Sequence, residues 1–162
     1  AEAFVGITLP HDVVRGGFEN VSIVGRFEVL SSNPLLVIDG AHNPPGAEAA
    51  AQTLKRSFPV DGKLVLIVGM TEEKNAEWML DCLEADEAQL IICTEAATPR
   101  SMPAEDLAAA AEKISSMVEI RTDPKDALEL ALSKAEPDDV ILGTGSLYVV
   151  GALRDAYFSN HS

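Results

Sequence analysis

The sequence has 162 residues, 47% of them apolar, with 26 Asp and Glu against 12 Lys and Arg. This is the composition of one soluble globular domain large enough for a core, and its net charge of -14 repels phosphodiester backbones and so argues against nucleic acid. No apolar run approaches the ~20 residues that cross a bilayer, and the start, AEAFVGITLP, has neither the basic n-region nor the long apolar h-region of a signal peptide. That start also lacks an initiating Met, so a fragment or processed chain is expected. Cys82 and Cys93 fit no metal spacing and no CxxC motif and read as reduced, mostly buried thiols of a cytoplasmic protein.

In chain order, PHDVVRGGFENV (10–21) reads as a short helix that its two glycines keep from lengthening. RFEVL (26–30) alternates in polarity, and SSNP separates it from LLVID (35–39) with a turn signal. The pair predicts an antiparallel hairpin at or near a sheet edge. Four more apolar runs follow: KLVLIVG (63–69), QLIICT (89–94), MVEIRT (117–122) and DVILGT (139–144). Most are continuous in Val, Ile and Leu, the pattern of strands covered on both faces of a parallel sheet. Helical stretches alternate with them. PPGAEAAAQTLKRSF has prolines where a first turn tolerates them, AEWMLDCLEA and MPAEDLAAAAEKISS follow, and DPKDALELALSKA offers Asp123 as N-cap before Pro124. SLYVVGALRDAYF closes the series. Strict alternation predicts right-handed crossovers and an α/β fold. The expected architecture is a Rossmann-like three-layer domain: a mostly parallel sheet of about six strands, one antiparallel edge strand, and helices on both faces.

In open α/β sheets, ligands bind beyond the carboxyl ends of the strands. Asp39, His42 and Asn43 lie at such an end, directly before a helix N-terminus, where amides and the helix dipole favour anions. The carboxylate is placed to grip ribose hydroxyls, and the imidazole to donate to a phosphate or carboxylate. The alternative is architectural, with Asp39 capping the turn and His42 bonded to a nearby carbonyl. A second corner, VILGTGSLYVVG (140–151), puts Ser146 at the start of the last helix behind Gly143 and Gly145. Ser146 reads either as a ligand for a carboxylate or phosphate or as a simple N-cap. The third place after those glycines is Tyr148, so the GxGxxG dinucleotide fingerprint fails, and no GxxxxGK[ST] loop is present. Lys74 and Arg100 follow the second and third parallel strands and could face the same crevice or simply be solvated.

Together, VGRFEVL, LLVIDGAHNPPGA, VGMTEEKN, ATPRSMPAEDLA and GTGSLYVVGALR resemble the carboxyl-terminal, Mur ligase-type domain of folylpolyglutamate synthase, often bifunctional with dihydrofolate synthase. DGAHNP (39–44) is the specific element, GSLYVVG (145–151) supports it in order and spacing, and the likeness runs from about Leu9 to Arg154. The resemblance implies an ATP-dependent ligase that makes an acyl phosphate on folate or dihydropteroate and joins it to L-glutamate. It implies that Asp39 binds the ATP ribose, that Arg26 reaches the phosphates, and that His42 and Asn43 belong to the same nucleotide corner. His42, Ser146 and Lys74 would seat the glutamate. The family has Pro before the Gly-Arg pair, where this chain has Val24. Its P-loop and Mg2+ ligands sit on an amino-terminal ATPase domain, so residues 1–24 are expected to be a lead-in from that domain, and 25–162 the domain itself. No metal ligand, and no catalytic residue, is expected on this chain, which alone should be inactive. The competing readings are a free-standing Rossmann-type nucleotide-binding module and a non-catalytic α/β domain.

Overall fold

The computed structural model describes residues 24–58, 62–96 and 98–160. The apolar runs form one six-stranded sheet, and the stretches between them wrap its two faces. The strands are β1 (Glu28–Ser32), β2 (Leu35–Ile38), β3 (Leu64–Val68), β4 (Leu90–Cys93), β5 (Val118–Ile120) and β6 (Val140–Thr144). Across the sheet they run β1-β2-β6-β3-β4-β5. β1 is antiparallel to β2, and the other pairings are parallel. β2, β4 and β6 are buried throughout, which is why their sequences are continuously apolar instead of alternating.

The helices are α1 (Pro44–Ser57), α2 (Ala76–Cys82), α3 (Ala104–Ala111), α4 (Pro124–Lys134) and α5 (Leu147–Asn160). Side-chain oxygens satisfy the first free amides of three of them: Asn43 to Gly46 (2.9 Å), Asn75 to Trp78 (3.0 Å) and Asp123 to Lys125 (2.8 Å). Pro103 precedes α3 and has no acceptor side chain, so the Glu95 carboxylate reaches across to take the Ala104 amide at 2.7 Å. Buried residues of α1, α2 and α3 pack with Val37, Leu66, Val68 and Leu142 on one face of the sheet. Those of α4 and α5 pack with Ile38, Val65, Ile67 and Ile141 on the other. Each fully buried Leu or Ile contributes about 1.5–3 kcal/mol of transfer free energy. Truncating one such as Ile67, fully excluded from solvent, leaves a cavity and costs about 2–5 kcal/mol.

The sheet order determines where ligands can bind. β6 is last among the strands in sequence, yet it lies between β2 and β3. The helix leaving β6 covers one face, while those leaving β2 and β3 cover the other. Such a reversal opens a crevice at the carboxyl ends of adjacent strands. Here it falls on both sides of β6.

The expected α/β architecture is the one found, with small differences at the edges. β1 begins at Glu28 and extends through Ser32, so the turn is Asn33 and Pro34 alone. Arg26 and Phe27 leave the strand because the Phe27 backbone is left-handed (φ 48) and its amide is bonded elsewhere. β5 shrinks to three residues at the open edge, with Glu119 and Ile120 exposed. The short helix expected in 10–21 lies outside the described residues. Among them, no helix is long and apolar enough to cross a membrane.

Candidate functional site

Three loops leave the adjacent strands β2, β6 and β3, carrying residues 39–43, 145–146 and 69–75. Main-chain bonds extend the ladder into them: the Asp39 amide donates to Gly143 (2.9 Å) and the Gly69 amide to Thr144 (3.3 Å). Gly145 follows with φ +101, and a Cβ there would stand 2.5 Å from the Gly69 carbonyl oxygen. Only glycine fits this turn. The Thr144 hydroxyl, just before it, is fully buried and has no hydrogen-bond partner among the described residues.

Residues 25–27 arch over the β2 loop. Gly25 (φ 68) and Phe27 (φ 48) are both left-handed, and bonds hold the arch down. The Gly40 amide donates to the Gly25 carbonyl at 2.8 Å, and the Phe27 amide to Asp39 Oδ2 at 2.8 Å. Asp39 Oδ1 accepts from the Ala41 amide at 2.9 Å. Among the described residues each carboxylate oxygen thus accepts one bond, and a second lone pair remains on each. Arg26 is exposed at the crest, with Nη1 donating to the Gly40 carbonyl at 3.3 Å. The same carbonyl accepts from His42 Nδ1 at 2.9 Å. A Cβ at Gly40 would stand 2.2 Å from Leu147 Cδ2, so a larger residue there would have to push the exposed Leu147 side chain aside.

Beside the arch is a small cleft of ≈ 170 Å³ lined by His42, Thr71, Glu73, Lys74, Arg100, Gly145, Ser146, Leu147 and Tyr148. Lys74 lies directly before Asn75, the N-cap of α2, its side chain 27% exposed, with Nζ 4.0 Å from Glu73. Arg100 comes from the next loop over. The two loops are stitched by an antiparallel bridge between Thr71 and Ser101, by the Glu72 amide on the Arg100 carbonyl (3.0 Å), and by the Met102 amide on Met70 (2.9 Å). The Glu73 carboxyl is held below its ordinary range, first by its own backbone amide and the Thr71 hydroxyl, then by Lys74 and Arg100. Ser146 is 4% exposed, and its Oγ accepts the Tyr148 amide at 3.2 Å as α5 begins. A hydroxyl, an imidazole, two cations and one carboxylate surround the cleft at a helix N-terminus, where free amides favour anions.

The structure thus gathers His42, Lys74 and Ser146 into one cleft, adds Arg100, and places Arg26 and Asp39 on the adjoining arch. Asn43 stands apart from the cleft lining, with its Oδ1 committed to capping α1. Thr71, Glu73 and Tyr148 were not singled out from the sequence as site residues. Their placement after β3 and β6 was visible there, but the bridge that folds the 71–74 loop against 100–102 was not. Among the described residues no group of three or more His, Cys, Asp or Glu could hold a metal ion. A wider hollow of ≈ 570 Å³ lies at the opposite end of the strands, against Leu54, Phe58, Leu64, Gln89 and Val140, and contains none of these groups.

The family described as "Mur ligase, glutamate ligase domain" matches residues 25–147. Dihydrofolate synthase/folylpolyglutamate synthase of Mycobacterium tuberculosis is 34% identical, over 96% of this chain and 36% of its own length. The crystal structures of Mycobacterium tuberculosis folylpolyglutamate synthase complexed with ADP and AMPPCP superpose with a TM-score of 0.83 at 34% identity, covering 96% of this chain and 37% of that one. A bifunctional folylpolyglutamate synthase/dihydrofolate synthase with Mn, AMPPNP and L-glutamate bound gives a TM-score of 0.77 at 28% identity, covering 96% of this chain and 36% of that one. The chain spans about a third of the length of the relatives it matches. It belongs to the Mur ligase glutamate ligase domain family, and over nearly its whole length it is homologous to the folylpolyglutamate and dihydrofolate synthases.

Proposed function

We propose that this chain is the carboxyl-terminal domain of an ATP-dependent folate ligase, joined through residues 1–24 to an amino-terminal ATPase domain of the same cytoplasmic enzyme. ATP phosphorylates the carboxylate of folate or dihydropteroate, and the amine of L-glutamate displaces phosphate from the acyl phosphate to form the amide. Such chemistry needs positioning and charge neutralisation more than a protein nucleophile. The Arg26 guanidinium, exposed at the crest of its arch, is a planar fork suited to the nucleotide phosphates. Asp39 takes the ribose hydroxyls on the lone pairs its two amide bonds leave free, and Asn43 offers its Nδ2 donor beside it. His42, Lys74 and Ser146 seat the glutamate, with Arg100 as a second cation for its other carboxylate. The ligands of Mg2+ are assigned to the ATPase domain, as the family resemblance implies.

One observation carries the reading. The Gly40 carbonyl accepts from both Arg26 and His42, so the nucleotide arm and the acceptor cleft meet on a single atom. The test is incorporation of labelled L-glutamate into folate or dihydropteroate. The complete enzyme should give amide and ADP in step, and the 162-residue chain alone should give none. Product from the isolated chain, or none from the complete enzyme, rejects the proposal. A second reading has its own support: both Asp39 oxygens and the Asn43 Oδ1 already serve backbone amides, as a purely architectural corner would require.

A further inference from the structure

Arg26 is carried by a backbone that does not hold itself. Left-handed φ at a residue with a side chain, such as Phe27 (φ 48), is disfavoured and persists only where surroundings impose it. One foot of the arch is fixed by Asp39, through the Phe27 amide at 2.8 Å. The other foot is fixed by Glu28. Its Oε2 accepts the Gly25 amide at 2.8 Å, turning the Gly25 carbonyl toward the Gly40 amide. Glu28 is itself held by α5: Arg154 Nε lies 3.0 Å from Oε1 and 3.3 Å from Oε2, with the Glu28 side chain only 13% exposed. The Arg154 guanidinium is fixed in turn over the Phe158 ring, 4.8 Å from its centroid.

We propose that Glu28, anchored by Arg154, is a positioning residue that sets the arch and thereby aims Arg26 at the nucleotide phosphates. The inference rests on the reading of Arg26 as the phosphate arm. The helix that grips Glu28 through Arg154 is α5, which begins just after Ser146.

The experiment compares Arg26→Ala, Glu28→Ala, the double variant, and Glu28→Gln in the complete ligase, reading apparent KM for ATP and for L-glutamate together with Tm. Glu28→Ala should raise the KM for ATP by roughly tenfold, the worth of about one charge-assisted hydrogen bond. The KM for L-glutamate should stay within about twofold. In the Arg26→Ala background the Glu28→Ala change should add nothing, because there is no longer an arm to aim. Glu28→Gln keeps an oxygen for the Gly25 amide and loses the charge Arg154 meets, so it should fall between; it also carries the test if Glu28→Ala does not fold. A Glu28 variant that melts earlier but keeps wild-type KM for ATP overturns the proposal, as does full additivity with Arg26→Ala. If Arg26→Ala itself leaves the KM for ATP unchanged, the phosphate-arm reading fails and this inference fails with it.

Discussion

The Lys63 amide donates to the Asp139 carboxylate at 2.7 Å across 76 residues of sequence, tying the entry of β3 to the entry of β6. The second carboxylate oxygen accepts the Glu136 amide at 2.8 Å, and the residue is 5% exposed. These amides, Lys63 first, hold the carboxyl below its ordinary range against the opposing effect of burial. A depressed folded value means that the unfolded chain binds the proton more readily. The stabilisation is therefore complete above about pH 4, near the free Asp value, and is lost as pH falls through the lower folded value. Asp139→Asn should cost about 1.5–3 kcal/mol at neutral pH, measured by urea unfolding. The gap between variant and wild type should narrow below about pH 4. A gap unchanged down to pH 3 would contradict the assignment.

Asp39→Ala and Ser146→Ala separate binding from architecture in the complete ligase. Asp39→Ala should raise the apparent KM for ATP by roughly one to two orders of magnitude, the loss of ~1.5–3 kcal/mol of charged hydrogen bonding. It should also lower Tm, since the Phe27 and Ala41 amides lose their acceptor. Ser146→Ala should raise the KM for L-glutamate, leave that for ATP alone, and lose about 1 kcal/mol of cap energy. Variants that only melt earlier, with wild-type kinetics, would make the corner architecture and nothing more.

Gly145→Ala should destabilise the domain by at least about 1–3 kcal/mol, the cost of an imposed left-handed residue. The contact of its Cβ with the Gly69 carbonyl oxygen at 2.5 Å adds to that. Circular dichroism melts of the two chains would show it. An unchanged Tm would mean that the β3 and β6 loops separate more easily than their geometry implies.

Thr144→Val replaces a fully buried hydroxyl that has no partner among the described residues with a methyl of nearly the same shape. Removing an unsatisfied polar group should leave stability unchanged or raise it by about 1–2 kcal/mol. A clear fall in Tm would show that the hydroxyl has a hydrogen-bond partner in solution.

Much of the sheet was legible because LLVI, LVLIV, LIIC and VILGT are short, mostly apolar runs bounded by turn-forming or polar residues. Their length and flanks give strand, and their lack of alternation gives burial on both faces. β1 was displaced by two residues, since a left-handed Phe27 held by a carboxylate from the loop after β2 leaves no local trace. DGAHNP advertised its corner by chemistry alone. Lys74 and Arg100 could be placed only at strand ends, because what brings them together is a bridge between Thr71 and Ser101 on separate loops. Glu28 and Arg154 are 126 residues apart, and nothing in the stretches that hold them pairs the two. Long-range pairs of this kind arise from the fold, and periodicity does not encode them.

The position of β6 has a consequence for how the domain comes into being. β2 and β3 do not touch; each finds its inner partner only in residues 140–144. As the chain emerges from the ribosome, two apolar strands, LLVI and LVLIV, therefore keep bare amide and carbonyl edges until the last strand slots between them. Closing so distant a pairing is slow, and open edges of this kind recruit other chains. We expect the domain to complete its sheet late in synthesis, and truncations before Val140 to aggregate instead of folding in part.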